Sequence, residues 1–135
     1  MSTLKVDTLT GITTEGSITV TAEGNTTTTN LQQGLCKSWV NLNTSSTAST
    51  RDTFNVSGIT DNSTGNTTVS VTNNFANVNF AYSIASSFTS SNQGVHQEAH
   101  EGGIATSSYG IGTFNTSNSA ADSENVFSLV AGDLA

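Results

Sequence analysis

The chain has 135 residues, room for one ordinary domain, and a net charge of −7 with only three basic residues, Lys5, Lys37 and Arg51. So few cations exclude neutralisation of a nucleic-acid backbone and attraction to an anionic membrane surface, and no apolar run is long enough to span a bilayer. Hydrophobic residues are 33% and charged residues 10%, both low, while Thr, Ser, Asn and Gly fill more than half of the chain. Disorder goes with high charge and few β-branched residues. Low charge with recurring, alternating Val, Ile, Phe and Thr predicts a folded all-β chain instead.

Residues 1–33 form the first division. They contain no aromatic residue, and their apolar positions are sparse: Leu4, Val6, Leu9, Ile12, Ile18, Val20 and Leu31. Residues 4–9 and 17–21 alternate as short strands do. Gly11, Gly16, Gly24 and a run of four threonines interrupt them. A segment this poor in apolar side chains cannot build its own core. It is expected to be an extended β arm whose Leu4, Val6, Leu9, Ile12, Ile18 and Val20 serve as anchor or oligomer contacts. The opening residues lack the apolar centre of a signal peptide, so synthesis in the cytoplasm is expected.

Residues 34–135 are patterned more densely. Cys36, Ser38, Val40 and Leu42 share one strand face, and Lys37, Trp39 and Asn41 share the other. Cys36 is the only cysteine, so no internal disulfide exists, and it reads as a small buried hydrophobe. Phe54 and Val56 belong to a strand over residues 51–59, with Gly58 at a bulge. Residues 61–66 are a turn cluster, followed by a strand with Val69 and Val71 on one face. The strongest strand places Val78, Phe80, Tyr82 and Ile84 together, with Phe88 as an extension. Residues 89–103 read as a long polar loop. Strands at 104–109 and 110–115, a turn at 116–121 and a last strand at 125–130 complete the chain. The result is an antiparallel β-sandwich or jelly-roll-like domain.

Candidate chemistry is sparse. His96 and His100 would share a face of a helix, and on a strand His96, Glu98 and His100 would share one instead; either could hold a metal, but Gln97 stands where a zinc-protease helix carries its Glu, and no other His exists. No Gly-x-Ser-x-Gly elbow is present. The carboxylates, Asp7, Glu15, Glu23, Asp52, Asp61, Asp122 and Asp133 among them, are scattered singly. Gly110-Ile111-Gly112 has no helix after it to complete a phosphate site. No catalytic residue, cofactor or resident metal is therefore expected. Trp39, Tyr82 and Tyr109 could stack against sugar rings, or else fill the core or a subunit contact.

Four stretches carry a family resemblance. They are Ser2-Thr3-Leu4-Lys5-Val6-Asp7-Thr8-Leu9, residues 31–42 around Lys37-Ser38-Trp39-Val40-Asn41, Arg51-Asp52-Thr53-Phe54-Asn55-Val56-Ser57-Gly58-Ile59 with its continuation to Gly65, and residues 122–130 ending in Val126-Phe127-Ser128-Leu129-Val130. In these the chain resembles tail-fibre-type virion structural proteins of tailed bacteriophages, of the kind found in phages of marine bacteria and cyanobacteria. The resemblance implies a homotrimer in the virion, contacting other tail or capsid proteins, with no active site to carry over. A tail-fibre-like trimer attached through its arm is the first expectation. A capsid decoration or head-fibre protein is the second, because the longer stalk usual in the family is not seen here. A carbohydrate-binding module recognising a host surface glycan is the third.

Overall fold

The computed structural model describes residues 3–12, 18–21, 23–24, 26–87, 96–99 and 103–135, the backbone alone for 96–99. Glu15, Phe88 and His100 lie outside the described residues. Two compact units follow one another, Met1–Leu35 and Cys36–Ala135.

The first unit holds a small antiparallel ladder of β1 (Thr19–Thr21) and β2 (Thr28–Asn30), with Thr19 opposite Asn30. Gly24, at φ 99°, sits in the connection, in a backbone region that other residues rarely adopt. One helical turn, α1 (Leu31–Gly34), follows, and the Asn30 side chain caps it by accepting from the Gln33 N–H at 3.1 Å. Residues 3–12 form no strand, despite their alternation. Alternation makes a strand only where a second backbone accepts its hydrogen bonds. Leu4, Val6, Leu9 and Ile12 are all exposed, Ile12 at 94%.

The second unit is an antiparallel β-sandwich. One sheet has the order β4-β3-β10-β7, built from β3 (Ser38–Asn43), β4 (Ser49–Phe54), β7 (Ala81–Ser86) and β10 (Val126–Ala131). The other has the order β5-β6-β9-β8, from β5 (Val56–Ser63), β6 (Asn66–Val71), β8 (His96–Ala99) and β9 (Ser108–Phe114). Val40 and Leu42 of β3 and Val126 and Val130 of β10 face Val69 and Val71 of β6 and Tyr109 and Ile111 of β9 in one core, which Phe75 completes. Each such side chain stabilises the fold by roughly 1.5–3 kcal/mol on burial.

Four rings run through this core in sequence. Phe75 stacks on Phe80 at 4.3 Å between centroids, Phe80 meets Tyr82 at 6.0 Å, and Tyr82 meets Tyr109 at 5.4 Å. The two tyrosines cross the sandwich in opposite directions. Tyr82 of the first sheet donates to the Gly110 carbonyl at 3.0 Å, and the Tyr109 hydroxyl of the second lies 2.9 Å from Ser128 Oγ. A buried phenol needs a partner for its hydroxyl, and both have one.

Several expectations are corrected. The stretch 51–59 is two strands in two sheets, because the chain turns a corner at Asn55, which has φ 56°. Its side chain holds the corner, donating to the carbonyls of Lys37 at 2.9 Å and Asn73 at 3.1 Å and accepting from the Asn73 N–H at 2.7 Å. The turn after β5 is tighter than the polar cluster suggested: pairing continues to Ser63 opposite Asn66, leaving Thr64 and Gly65 to turn. Val78 is exposed and precedes β7, in a bend where the Asn77 side chain accepts from the Asn79 N–H at 2.8 Å. The loop expected over 89–103 contains β8, whose residues 96–99 pair with Phe114 through Ile111 of β9. Gly58 does lie at a register shift, as its position suggested.

Candidate functional site

The polar side chains of the sandwich are largely spent on its own backbone. Arg51 is the extra residue where the β3–β4 register shifts. The bulge sends its guanidinium across to the Leu42 carbonyl at 3.2 Å, Asn125 Oδ1 at 2.7 Å and the Glu124 carbonyl. Asp61 accepts from the Ala48 N–H at 3.0 Å, and Asp122 accepts from the Gly65 N–H at 2.7 Å. Lys37 is buried. Burial pulls its ammonium below the usual lysine range, against the charges of Asp133 and Cys36, which act to raise it. Cys36 is half-buried and donates to the Ser38 carbonyl at 3.2 Å.

The buried Ser123 is used in the same way. Ser123 Oγ donates to the Ser87 carbonyl at 2.9 Å, and the Ser123 N–H donates to Thr44 Oγ1 at 2.8 Å. Gly110 and Gly112 lie within β9, and Gly103 closes on Gly110 so tightly that an added Cβ would sit 2.6 Å from its Cα. Gly103 and Gly110 serve close backbone packing. Residues 96–99 form a strand and not a helix, and His100 of the expected pair lies outside the described residues. Among the described residues, no group of three His, Cys, Asp or Glu could hold a metal, and no helix is long and apolar enough to cross a membrane.

Trp39 is separated from the other two candidate sugar-stacking rings, Tyr82 and Tyr109, which meet inside the sandwich. Tyr109 is fully buried, so its ring faces are closed to any ligand, and Tyr82 is half-buried against it. Burial pushes the phenol of Tyr109 above the usual tyrosine range, with the Ser128 hydrogen bond acting the other way. Burial likewise raises Tyr82, and Tyr109 adds to that. Trp39 lies on the opposite, outward side of β3, where it alternates with buried Ser38 and Val40.

Trp39 belongs to a surface that sequence reading did not single out. Across the outer face of its sheet, Phe54, Trp39, Leu129 and Ser83 stand in one row. Asp52, Asn41, Phe127 and Ala85 form the next. Phe54 is 51% exposed, Phe127 43% and Leu129 52%. Asn41 Oδ1 is buried in this row without a hydrogen-bond partner. The signal for the surface was present in the run Val126-Phe127-Ser128-Leu129-Val130, which is apolar at nearly every position. Such a run marks a strand covered on both faces, and in the single chain only one face of β10 is covered.

Comparison with family models, with curated proteins and with solved structures returns no match. The arrangement described above is therefore what bears on function.

Proposed function

We propose that the protein is a non-enzymatic structural component of a tailed-phage virion, a homotrimer of tail-fibre type attached to the particle through its N-terminal arm. One observation carries the reading: large apolar side chains are left uncovered in two places, Leu4, Val6, Leu9 and Ile12 in the arm and Phe54, Phe127 and Leu129 on a sheet face. Monomeric soluble proteins seldom leave contiguous apolar surface of this kind exposed, and assembly covers it. The way polar groups are spent on internal hydrogen bonds supports the non-enzymatic part. The word phage rests on the sequence resemblance at residues 51–65. There Arg51, Asn55, Asp61 and Gly65 each have a structural task, in keeping with a motif that maintains a fold.

The test is quantitative mass spectrometry of purified particles from cells infected with the phage that encodes the chain. A few dozen copies per particle at most fit a tail position, and hundreds fit the alternative of capsid decoration. Absence from purified particles overturns both. Removal of residues 1–24 is expected to leave a folded sandwich that no longer joins the particle. Normal incorporation of that variant refutes the anchor role of the arm.

A further inference from the structure

We propose that the outer face of the β4-β3-β10-β7 sheet binds a second copy of the same chain, with Trp39 and Leu129 at the centre of the contact. This rests on the oligomeric reading above and assigns the surface that makes the oligomer.

Charge selects this face for self-contact. Each chain carries −7, so identical copies repel unless they meet on a surface almost free of charge. In the rows through Trp39 and Asn41 the only ionisable side chain is Asp52, on the edge strand β4, and the flanking cations are held in place, Lys37 by burial and Arg51 by the Leu42 and Glu124 carbonyls and Asn125. The centre is aromatic and aliphatic, the composition that interface cores favour, with tryptophan prominent among residues that dominate binding.

Area points the same way. Four strands at about 4.8 Å spacing and six residues at about 3.3 Å give a face of roughly 19 by 20 Å, or about 400 Å² in plan before side-chain relief. A stable interface needs at least ~600 Å² per partner. The corrugated face approaches that figure only when it is covered as a whole, as by the equivalent faces of sister chains around a three-fold axis. Two of the four sheet edges of the sandwich are poorly suited to the same task. β4 carries the Arg51 bulge, and β5 has register shifts at Ser57 and Asn62, and bulged edges resist strand addition. Sister copies therefore meet through this face, and the row of Phe54, Trp39 and Leu129 contributes to an apolar layer that the three chains share around the trimer axis.

The test uses the full chain and its single tryptophan. Sedimentation gives the association state, and acrylamide quenching of Trp39 reports whether the face is covered. In the wild type, Trp39 is expected to be shielded in the oligomer and to become quenchable on dilution. Leu129→Asp places a carboxylate at the centre of the contact and is expected to weaken association at least ~100-fold. Leu129→Thr keeps strand preference and is expected to weaken it less, which guards against misreading a folding defect. Thr60→Asp puts the same charge on exposed β5 of the other sheet and is expected to leave association unchanged. An oligomer that persists in Leu129→Asp, with Trp39 as quenchable as in the wild-type monomer, overturns this face and leaves the oligomeric reading standing. A wild type that is monomeric at every concentration overturns both.

Discussion

Replacing Gly65 by alanine isolates the geometry that ties the β5–β6 turn to the end of β9 and to Ala121. Gly65 has φ 68°, a left-handed conformation that costs an L-residue about 1–2 kcal/mol. A Cβ there would sit 2.4 Å from the Thr113 carbonyl oxygen and 2.7 Å from the Ala121 nitrogen, both backbone atoms that cannot rotate aside. Relief requires the turn to move. That strains the Gly65 N–H to Asp122 bond at 2.7 Å and the Thr113 N–H to Gly65 carbonyl bond at 2.8 Å, each worth about 1 kcal/mol or more. The expected loss is roughly 3–5 kcal/mol, a large part of the ~5–15 kcal/mol that holds a domain folded. Gly58→Ala is the control. Its added Cβ meets nothing within 4 Å and its backbone needs no positive φ, so it is expected to be neutral or to stabilise by up to about 1 kcal/mol. Urea unfolding followed by circular dichroism, at one protein concentration to hold association fixed, should show a midpoint about 2–3 M lower for Gly65→Ala, taking a slope of ~1.5 kcal/mol/M. A Gly65→Ala midpoint within experimental scatter of wild type, or equal damage from both substitutions, refutes the reasoning.

Two further outcomes are expected. Asn55→Ala should cost about 3 kcal/mol, because it loses three hydrogen bonds and keeps the positive φ. Asn55→Gly should cost less by about 1 kcal/mol, since the backbone strain is relieved, and a urea series on the pair separates the two contributions. Tyr82 and Tyr109 are the only tyrosines, and burial raises both above their unfolded value of about 10. A raised folded pKa means the unfolded chain loses protons first. The associated stability is complete below pH ~10 and is lost as pH climbs through the raised folded values. Tyrosinate absorbance should therefore appear together with loss of the β-sheet signal on alkaline titration. Smooth tyrosine ionisation at the ordinary pH in a chain that stays folded would contradict the buried placement.

The strand content was legible because alternation is a local property. Val40 and Leu42, and Val69 and Val71, could be assigned to shared faces from spacing alone, and all four are buried. The Gly58 irregularity was legible for the same reason. The corner at Asn55 was not, because its cause is a set of bonds to Lys37 and Asn73, each eighteen residues away. Nor was β8, since a weakly patterned segment becomes a strand only when β9 supplies the pairing.

Tyr109 illustrates the same division at the candidate site. An aromatic residue beside glycines reads equally as ligand platform or core, and only the opposite sheet, bringing Ser128 to its hydroxyl, decides for the core. The sequence by itself determined that this chain is all-β, acidic and short of apolar cover, because composition and period-two alternation need no knowledge of partners. Tertiary structure decided which face of β3 and β10 turns inward, and thereby left Trp39, Phe127 and Leu129 outside. Alternation marks two faces of a strand, but only the packing of one sheet on another chooses between them.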